Sequence, residues 1–228
     1  MTRYAKILTL SALALTLGAC SNIERSRNLG NPQVSGYTLA QQVCSTCHGG
    51  SDGINANGTA LNPTYPNLAG QQAVYLEAEL QEFHDHTRKD AAARDMMWGL
   101  TSQLTPEQIK ALAEFYAHQK PQPNPAQSDP AAVAAGQKLF LEGLAEKSVP
   151  ACATCHGANA EGNGPIPRLA SQHADYLYKQ MVGFNNDSGR GNHPETLERP
   201  HAVVMDAIAH GLTDTQMLQV AAYLQSIQ

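Results

Sequence analysis

The sequence predicts an all-α protein made of two tandem copies of one helical unit, and three observations carry that prediction. The first is a set of short motifs that recurs. Cys44-Ser45-Thr46-Cys47-His48-Gly49 returns as Cys152-Ala153-Thr154-Cys155-His156-Gly157, and Pro66-Asn67-Leu68-Ala69 as Pro167-Arg168-Leu169-Ala170. Tyr75-Leu76 and Phe83 return as Tyr176-Leu177 and Phe184, and Met97 with Leu104-Thr105 as Met205 with Leu212-Thr213. The offset is 108 at the Cys pairs, 101 through the middle block and 108 again at the Met and Leu-Thr positions. Seven additional residues therefore precede Pro66 in the first copy and seven follow Phe184 in the second, as loops of different length on one repeated domain. The second observation is helical signal at matched places. Thr105 with Gln108, and Thr213 with Gln216, are capping-box pairs. Behind them Ile109, Leu112, Ala113 and Tyr116, and Met217, Val220, Ala221 and Leu224, fall at helical spacing. Tyr75, Leu76, Leu80 and Phe83, and Tyr176, Leu177, Met181 and Phe184, do the same. The third is that alternating strand patterns are scarce and the remainder is rich in Gly, Pro and Asn.

The ends of the chain follow a different logic. Arg3 and Lys6 precede an apolar run from Ile7 to Leu17, about eleven residues and short of the roughly 20 that cross a bilayer. A basic start, a short apolar stretch and small residues describe an export signal over 1–19. Leu17-Gly18-Ala19-Cys20 resembles the lipobox of bacterial lipoproteins, in which the Cys becomes a lipid-modified first residue. That predicts a membrane-anchored lipoprotein in the periplasm of a Gram-negative bacterium, and Ser21 in place of Asp is what the pattern associates with outer-membrane sorting. The alternative is an ordinary signal with Cys20 as a spare thiol. Residues 20–31 then read as a tether, 32–120 as the first domain and 130–228 as the second. Between them 121–129 is a Pro-rich linker, with Pro121, Pro123 and Pro125 favouring extended backbone.

Composition limits the function. The 228 residues carry a formal charge of −5, which becomes −7 once Arg3 and Lys6 are removed; no nucleic-acid binder is expected from such a chain. Residues 31–120 hold five basic and nine acidic side chains, and 130–228 hold six and nine, so redox partners presenting basic patches are expected. Aromatic residues make up only 6% of the chain. Two domains of about 90–100 residues have marginal cores, and a large flat apolar cofactor in each would supply missing buried surface.

The repeated Cys-x-x-Cys-His has a mechanical reading. Two thiols separated by two residues, Cys44 with Cys47 and Cys152 with Cys155, reach the two vinyl groups of a haem and form thioethers. The next residue, His48 or His156, then places an imidazole beneath the iron. The competing readings are a thioredoxin-like redox pair, which normally sits near a βαβ pattern, and half of a zinc site. With two such units and Cys20 as the fifth Cys, no thiol is left over. The second axial ligand is expected from Met97 and Met205. Each lies seven residues before Leu-Thr and 49 residues after its His. Met96 is the rival in the first copy, but its counterpart is Val204, which cannot ligate.

On these motifs the chain resembles the dihaem class I cytochromes c, the cytochrome c4 type in particular, over about residues 36–228. The resemblance implies two cytochrome c domains, two haem c groups and a one-electron carrier rather than an enzyme. It would relay electrons between respiratory complexes or dehydrogenases and a terminal oxidase or reductase. It further implies that the carbonyls of Pro66 and Pro167 accept the ring N–H of the ligating histidines, and that Leu68 and Leu169 pack on the haem face. Ser171 in place of the Gly found at Gly70, and the insertion Asn185 to Asn192, depart from the pattern. The rival functions are a dihaem peroxidase or thiosulfate-oxidising enzyme, which needs a labile site, and a subunit of a larger oxidoreductase. Among the other histidines, His84, His86, His118, His173 and His210 read as ordinary surface or core residues. His193 and His201 are rivals to Met205. Glu77, Glu79, Glu82 and Asp85 read as a solvated helix face, with a docking patch as the alternative.

Overall fold

The computed structural model describes residues 29–49, 56–187 and 197–228. The signal segment, Cys20, His193 and the insertion beyond Asp187 lie outside them. In the first unit α1 (Gly36–Leu39) continues through a π-helical turn, Ala40–Cys44, into α2 (Ser45–His48). There follow α3 (Ala73–His84), a second π-helical turn at Ala93–Met97, α4 (Trp98–Thr101) and α5 (Pro106–Ala117). The second unit holds α6 (Pro130–Glu142), α7 (Ala153–His156), α8 (Ala174–Asp187), α9 (Val203–His210) and α10 (Asp214–Ser226). Among the described residues extended pairing is confined to two isolated bridges, Leu144 with Val149 and Asn163 with Ile166.

The caps sit where the sequence puts them. Thr105 and Thr213 each accept from the backbone N–H three residues on, and Gln108 and Gln216 reach back to the cap N–H. Asp129 caps α6, with Pro130 in the first turn where its missing N–H costs nothing. The predicted apolar faces are buried: Ile109, Leu112, Ala113 and Tyr116 in one core, and Met217, Val220, Ala221 and Leu224 in the other. In each unit the first helix crosses the last at a glycine. A Cβ on Gly36 would meet the Cβ of Ala111 at 2.6 Å, and one on Gly136 would meet the carbonyl oxygen of Gln219 at 1.9 Å.

The Pro-x-Leu-Ala loops have the same backbone in both units. Leu68 and Ala69 N–H donate to the carbonyl of Gly58, while Leu169 and Ala170 donate to that of Ala160. The next residue is left-handed in both, with φ +66° at Gly70 and +62° at Ser171. The departure at Ser171 therefore leaves the loop geometry intact. Ser171 anchors the strained conformation by donating its hydroxyl to the carbonyl of Ile227 at 2.8 Å. At Gly70 a side chain has no room, because a Cβ would lie 2.3 Å from Cγ of Pro121 where the linker crosses.

This difference predicts unequal outcomes in thermal denaturation of the holoprotein. Gly70→Ala should cost about 2 kcal/mol or more, from the left-handed backbone together with the clash. Ser171→Gly should stay within about 1 kcal/mol, since relief of left-handed strain offsets one lost hydrogen bond.

Candidate functional site

The π-helical turn Ala40–Cys44 runs directly into α2, so Cys44, Cys47 and His48 occupy one continuous helical run at i, i+3 and i+4. That spacing places all three on one face. In the second unit Cys152 caps α7, which carries Cys155 and His156. All four cysteines are free thiols. Cys44 packs against the first core and Cys152 against the second. Burial pushes the Cys44 thiol up to about 11 and raises that of Cys152 as well. A thioredoxin-like pair needs the opposite, a thiol stabilised as thiolate. Among the described residues no group of three or more His, Cys, Asp or Glu converges on a common point, so the two Cys pairs do not form one zinc site.

Both histidines are buried. The Nδ1 of His48 donates to the carbonyl of Pro66 at 2.9 Å, and that of His156 to the carbonyl of Pro167 at 3.0 Å. The connecting loops differ by the seven residues read from the offsets, yet they close the same bond. Fixing the proton on Nδ1 leaves Nε2 as the lone-pair donor, the arrangement of a metal-ligating imidazole. Burial lowers the pKa of both rings, so they stay neutral. Leu68 and Leu169 are half-buried against their cores.

The two methionines sit in different local structure. Met97 ends the second π-helical turn, and its carbonyl accepts from the Thr101 hydroxyl at 2.8 Å. Met205 lies on α9 and packs half-buried against the second core. Met96 and Met97 are both half-buried, but Val204, the counterpart of Met96, is 75% exposed. The π-helical turns in the first unit coincide with Cys44 and Met97, and such turns occur frequently at functional sites.

The units meet across the pseudo-two-fold interface expected of two repeated domains, through residues that the sequence alone did not single out. Gln172 Oε1 accepts from the N–H of Asn67 at 2.8 Å, and its Nε2 donates to the carbonyl of the same residue at 3.0 Å. Gln71 does likewise for Arg168, at 2.7 and 2.9 Å. His173 is buried here: its Nε2 donates to the carbonyl of Ala60 at 2.8 Å, and its Nδ1 accepts from the amide of Asn124 at 3.0 Å. The one available signal was the Gln following each Pro-x-Leu-Ala block, which spacing alone cannot assign to a partner in the other unit.

Beside this lies a buried ionic cluster. Glu79 joins Arg88 of its own unit to Arg199 of the other. Gln180, at the position matching Glu79, accepts from both guanidiniums. Arg88 lies over the Phe83 ring at 4.5 Å and Arg199 over Phe184 at 5.3 Å. This corrects the expected solvated acidic face. Glu77 and Asp85 are exposed, but Glu82 is buried and Glu79 faces the second unit. The reason is that α3 is covered on two sides, by its own core at Leu76 and Leu80 and by the neighbouring unit at Glu79. A single-helix reading sees only the first.

Comparison with known proteins places this arrangement. The Cytochrome c family model matches residues 33–120 and again 133–228. Cytochrome c-552 of Acidithiobacillus ferridurans is 35% identical over 229 residues, covering 100% of this chain and 90% of that protein. A thiosulfate dehydrogenase electron acceptor from Thiomonas intermedia is 37% identical, covering 79% of this chain and 76% of that protein. The solved structure of Acidithiobacillus ferrooxidans cytochrome c4 superposes with a TM-score of 0.68 at 35% identity, covering 80% of this chain and 98% of that one.

The ionic cluster gives a pH dependence. Burial opposes ionisation of Glu79, but the Arg199 and Arg88 guanidiniums outweigh it and hold the carboxyl down at about 2. A carboxylate depressed below its unfolded value of about 4.3 stabilises the fold at neutral pH, and that contribution is lost as pH falls through its folded value. Stability should therefore drop between about pH 4.5 and 2, followed by calorimetry. Glu79→Gln should remove this acid step and cost about 3 kcal/mol at pH 7, because two buried guanidiniums lose their shared carboxylate.

Proposed function

The chain belongs to the cytochrome c family and is an electron carrier with two covalently bound haems c, and we propose that Cys44 and Cys47 hold one haem and Cys152 and Cys155 the other. In this reading His48 and Met97 would hold the iron in the first unit, and His156 and Met205 in the second. The domains are 32–120 and 130–228, joined by 121–129. The observation that carries the reading is the matched pair of bonds from His Nδ1 to Pro carbonyl.

The residues present fit that group. Each helix presents two unpaired thiols and an imidazole on one face, with the ring proton already committed to a carbonyl. When bound, the haem iron supplies one-electron exchange between ferric and ferrous states. The protein orients the imidazole, raises its basicity through the Pro66 and Pro167 carbonyls, and supplies a low-dielectric surround. A neutral thioether from Met97 or Met205 favours the ferrous state. Symmetry favours Met97 over Met96, since the residue matching Met96 points to solvent in the second unit. With both iron ligands supplied by protein, the chain would need no substrate site and would act as a carrier, not a peroxidase or thiosulfate-oxidising enzyme.

Its partners are redox proteins with basic faces, since both units are acidic. The relative from Thiomonas intermedia, an electron acceptor of thiosulfate dehydrogenase, makes a sulfur-oxidising donor a coherent second reading. Export to the periplasm and lipidation of Cys20 complete the proposal. Among the described residues no helix is long and apolar enough to cross a membrane.

Two outcomes test these assignments. Met97→Leu should abolish one of the two near-infrared thioether-to-iron bands of the ferric protein, while Met96→Leu leaves both; the reverse would move the ligand by one residue. An acyl chain contributes about 0.8 kcal/mol per buried CH₂, so mature protein should fractionate with membranes. Cys20→Ser should release it or stall its processing, and unchanged fractionation would assign the anchor to a protein partner.

A further inference from the structure

We propose that Gln71 and Gln172 are positioning residues that tune the haem sites crosswise, each acting on the axial histidine of the opposite unit. The inference rests on the ligand assignment above. It starts from peptide geometry. The carbonyl of Pro66 and the N–H of Asn67 belong to one planar amide, whose atoms move together. On one side of that amide the carbonyl receives the Nδ1 proton of His48. On the other, the N–H donates to Gln172 Oε1 at 2.8 Å. The result is a continuous chain from a side chain in the second unit, through one amide, to the imidazole in the first. In the second unit the amide is that of Pro167 and Arg168. Its carbonyl holds His156, and its N–H donates to Gln71 Oε1 at 2.7 Å.

Three features make this more than packing. Each glutamine holds both backbone groups of its target residue, so it fixes orientation as well as position. Each carboxamide oxygen is itself anchored, accepting from the backbone N–H of the next residue, Gln72 or His173. Both glutamines are buried, at 7% and 5% exposure, so water does not compete freely for the amides. Hydrogen bonds in such a chain polarise one another. An amide whose N–H is bonded is a stronger acceptor at its carbonyl, and a stronger acceptor gives the imidazole more anionic character. That favours the ferric state and lowers the reduction potential.

The direction of the effect is therefore fixed. Gln172→Met keeps the side-chain length and removes both hydrogen bonds. It should raise the potential of the haem held by His48 and shift the His48 ring N–H resonance upfield in the reduced protein, leaving those of His156 in place. Gln71→Met should do the mirror image. Redox titration of the holoprotein followed by NMR reads each haem separately, with the axial methionine resonances assigned through Met97→Leu and Met205→Leu. Equal shifts at both haems, a shift in the variant's own unit, or no shift overturns the coupling. Missing ligand-shifted resonances for His48 or His156 would overturn the ligand assignment, and the coupling with it. Should the variants fail to fold, hydrogen exchange in the native protein decides. The Asn67 and Arg168 amide protons should be among the slowest to exchange, and fast exchange at either overturns the proposal.

Discussion

The hydrogen bonds from His48 to the Pro66 carbonyl and from His156 to the Pro167 carbonyl are the constraint around which each unit is arranged. A histidine on a four-residue helix has a mobile ring unless something holds its second nitrogen. The carbonyl does so, and it also decides the tautomer. The carbonyl in turn must be held, and the Pro-x-Leu-Ala loop is built for that. Its N–H groups converge on the carbonyl of Gly58 or Ala160, and its last turn is left-handed. From there the restraints pass to the final helices, through Gly70 N–H to the Tyr116 carbonyl and Ser171 N–H to the Leu224 carbonyl. The capping boxes at Thr105 and Thr213 fix where those helices begin.

Much of this was legible in the sequence because it is local or repeated. Cys-x-x-Cys-His is a contiguous motif, the capping boxes span four residues, and the apolar faces of α3, α5, α8 and α10 follow helical periodicity. The repeat supplied what single motifs lacked, aligning Met97 with Met205 and Gln71 with Gln172. What stayed hidden lies between the units. Glu79 sits among acidic neighbours at positions that a lone helix would expose, and only the second unit's Arg199 explains its burial. His173 carries no local mark of its contacts with Ala60 and Asn124. The roles of Gln71 and Gln172 depend on docking two surfaces about an axis, for which the chain carries no contiguous signal. The tether and Cys20 stay with the sequence argument alone.

The symmetry between the units is broken in ways that bear on function. Glu79 is matched by Gln180, so a single carboxylate bridges the two guanidiniums. Arg88 Nε has a partner in Asp90, whereas the buried Nε of Arg199 has none among the described residues. Gly70 gives way to Ser171, and the loops before Pro66 and after Phe184 differ in length. With the proposed ligands, these unequal electrostatic surroundings would give the two haems different potentials.

With the proposed ligands, each chain would carry two six-coordinate haem centres, one per repeat. Near-infrared magnetic circular dichroism of the ferric holoprotein, with iron and protein determined on the same sample, tests it most directly. Two irons per chain are expected, both low-spin and both with the thioether-to-iron signature. A single iron, a high-spin centre, or one centre with two imidazoles would contradict it.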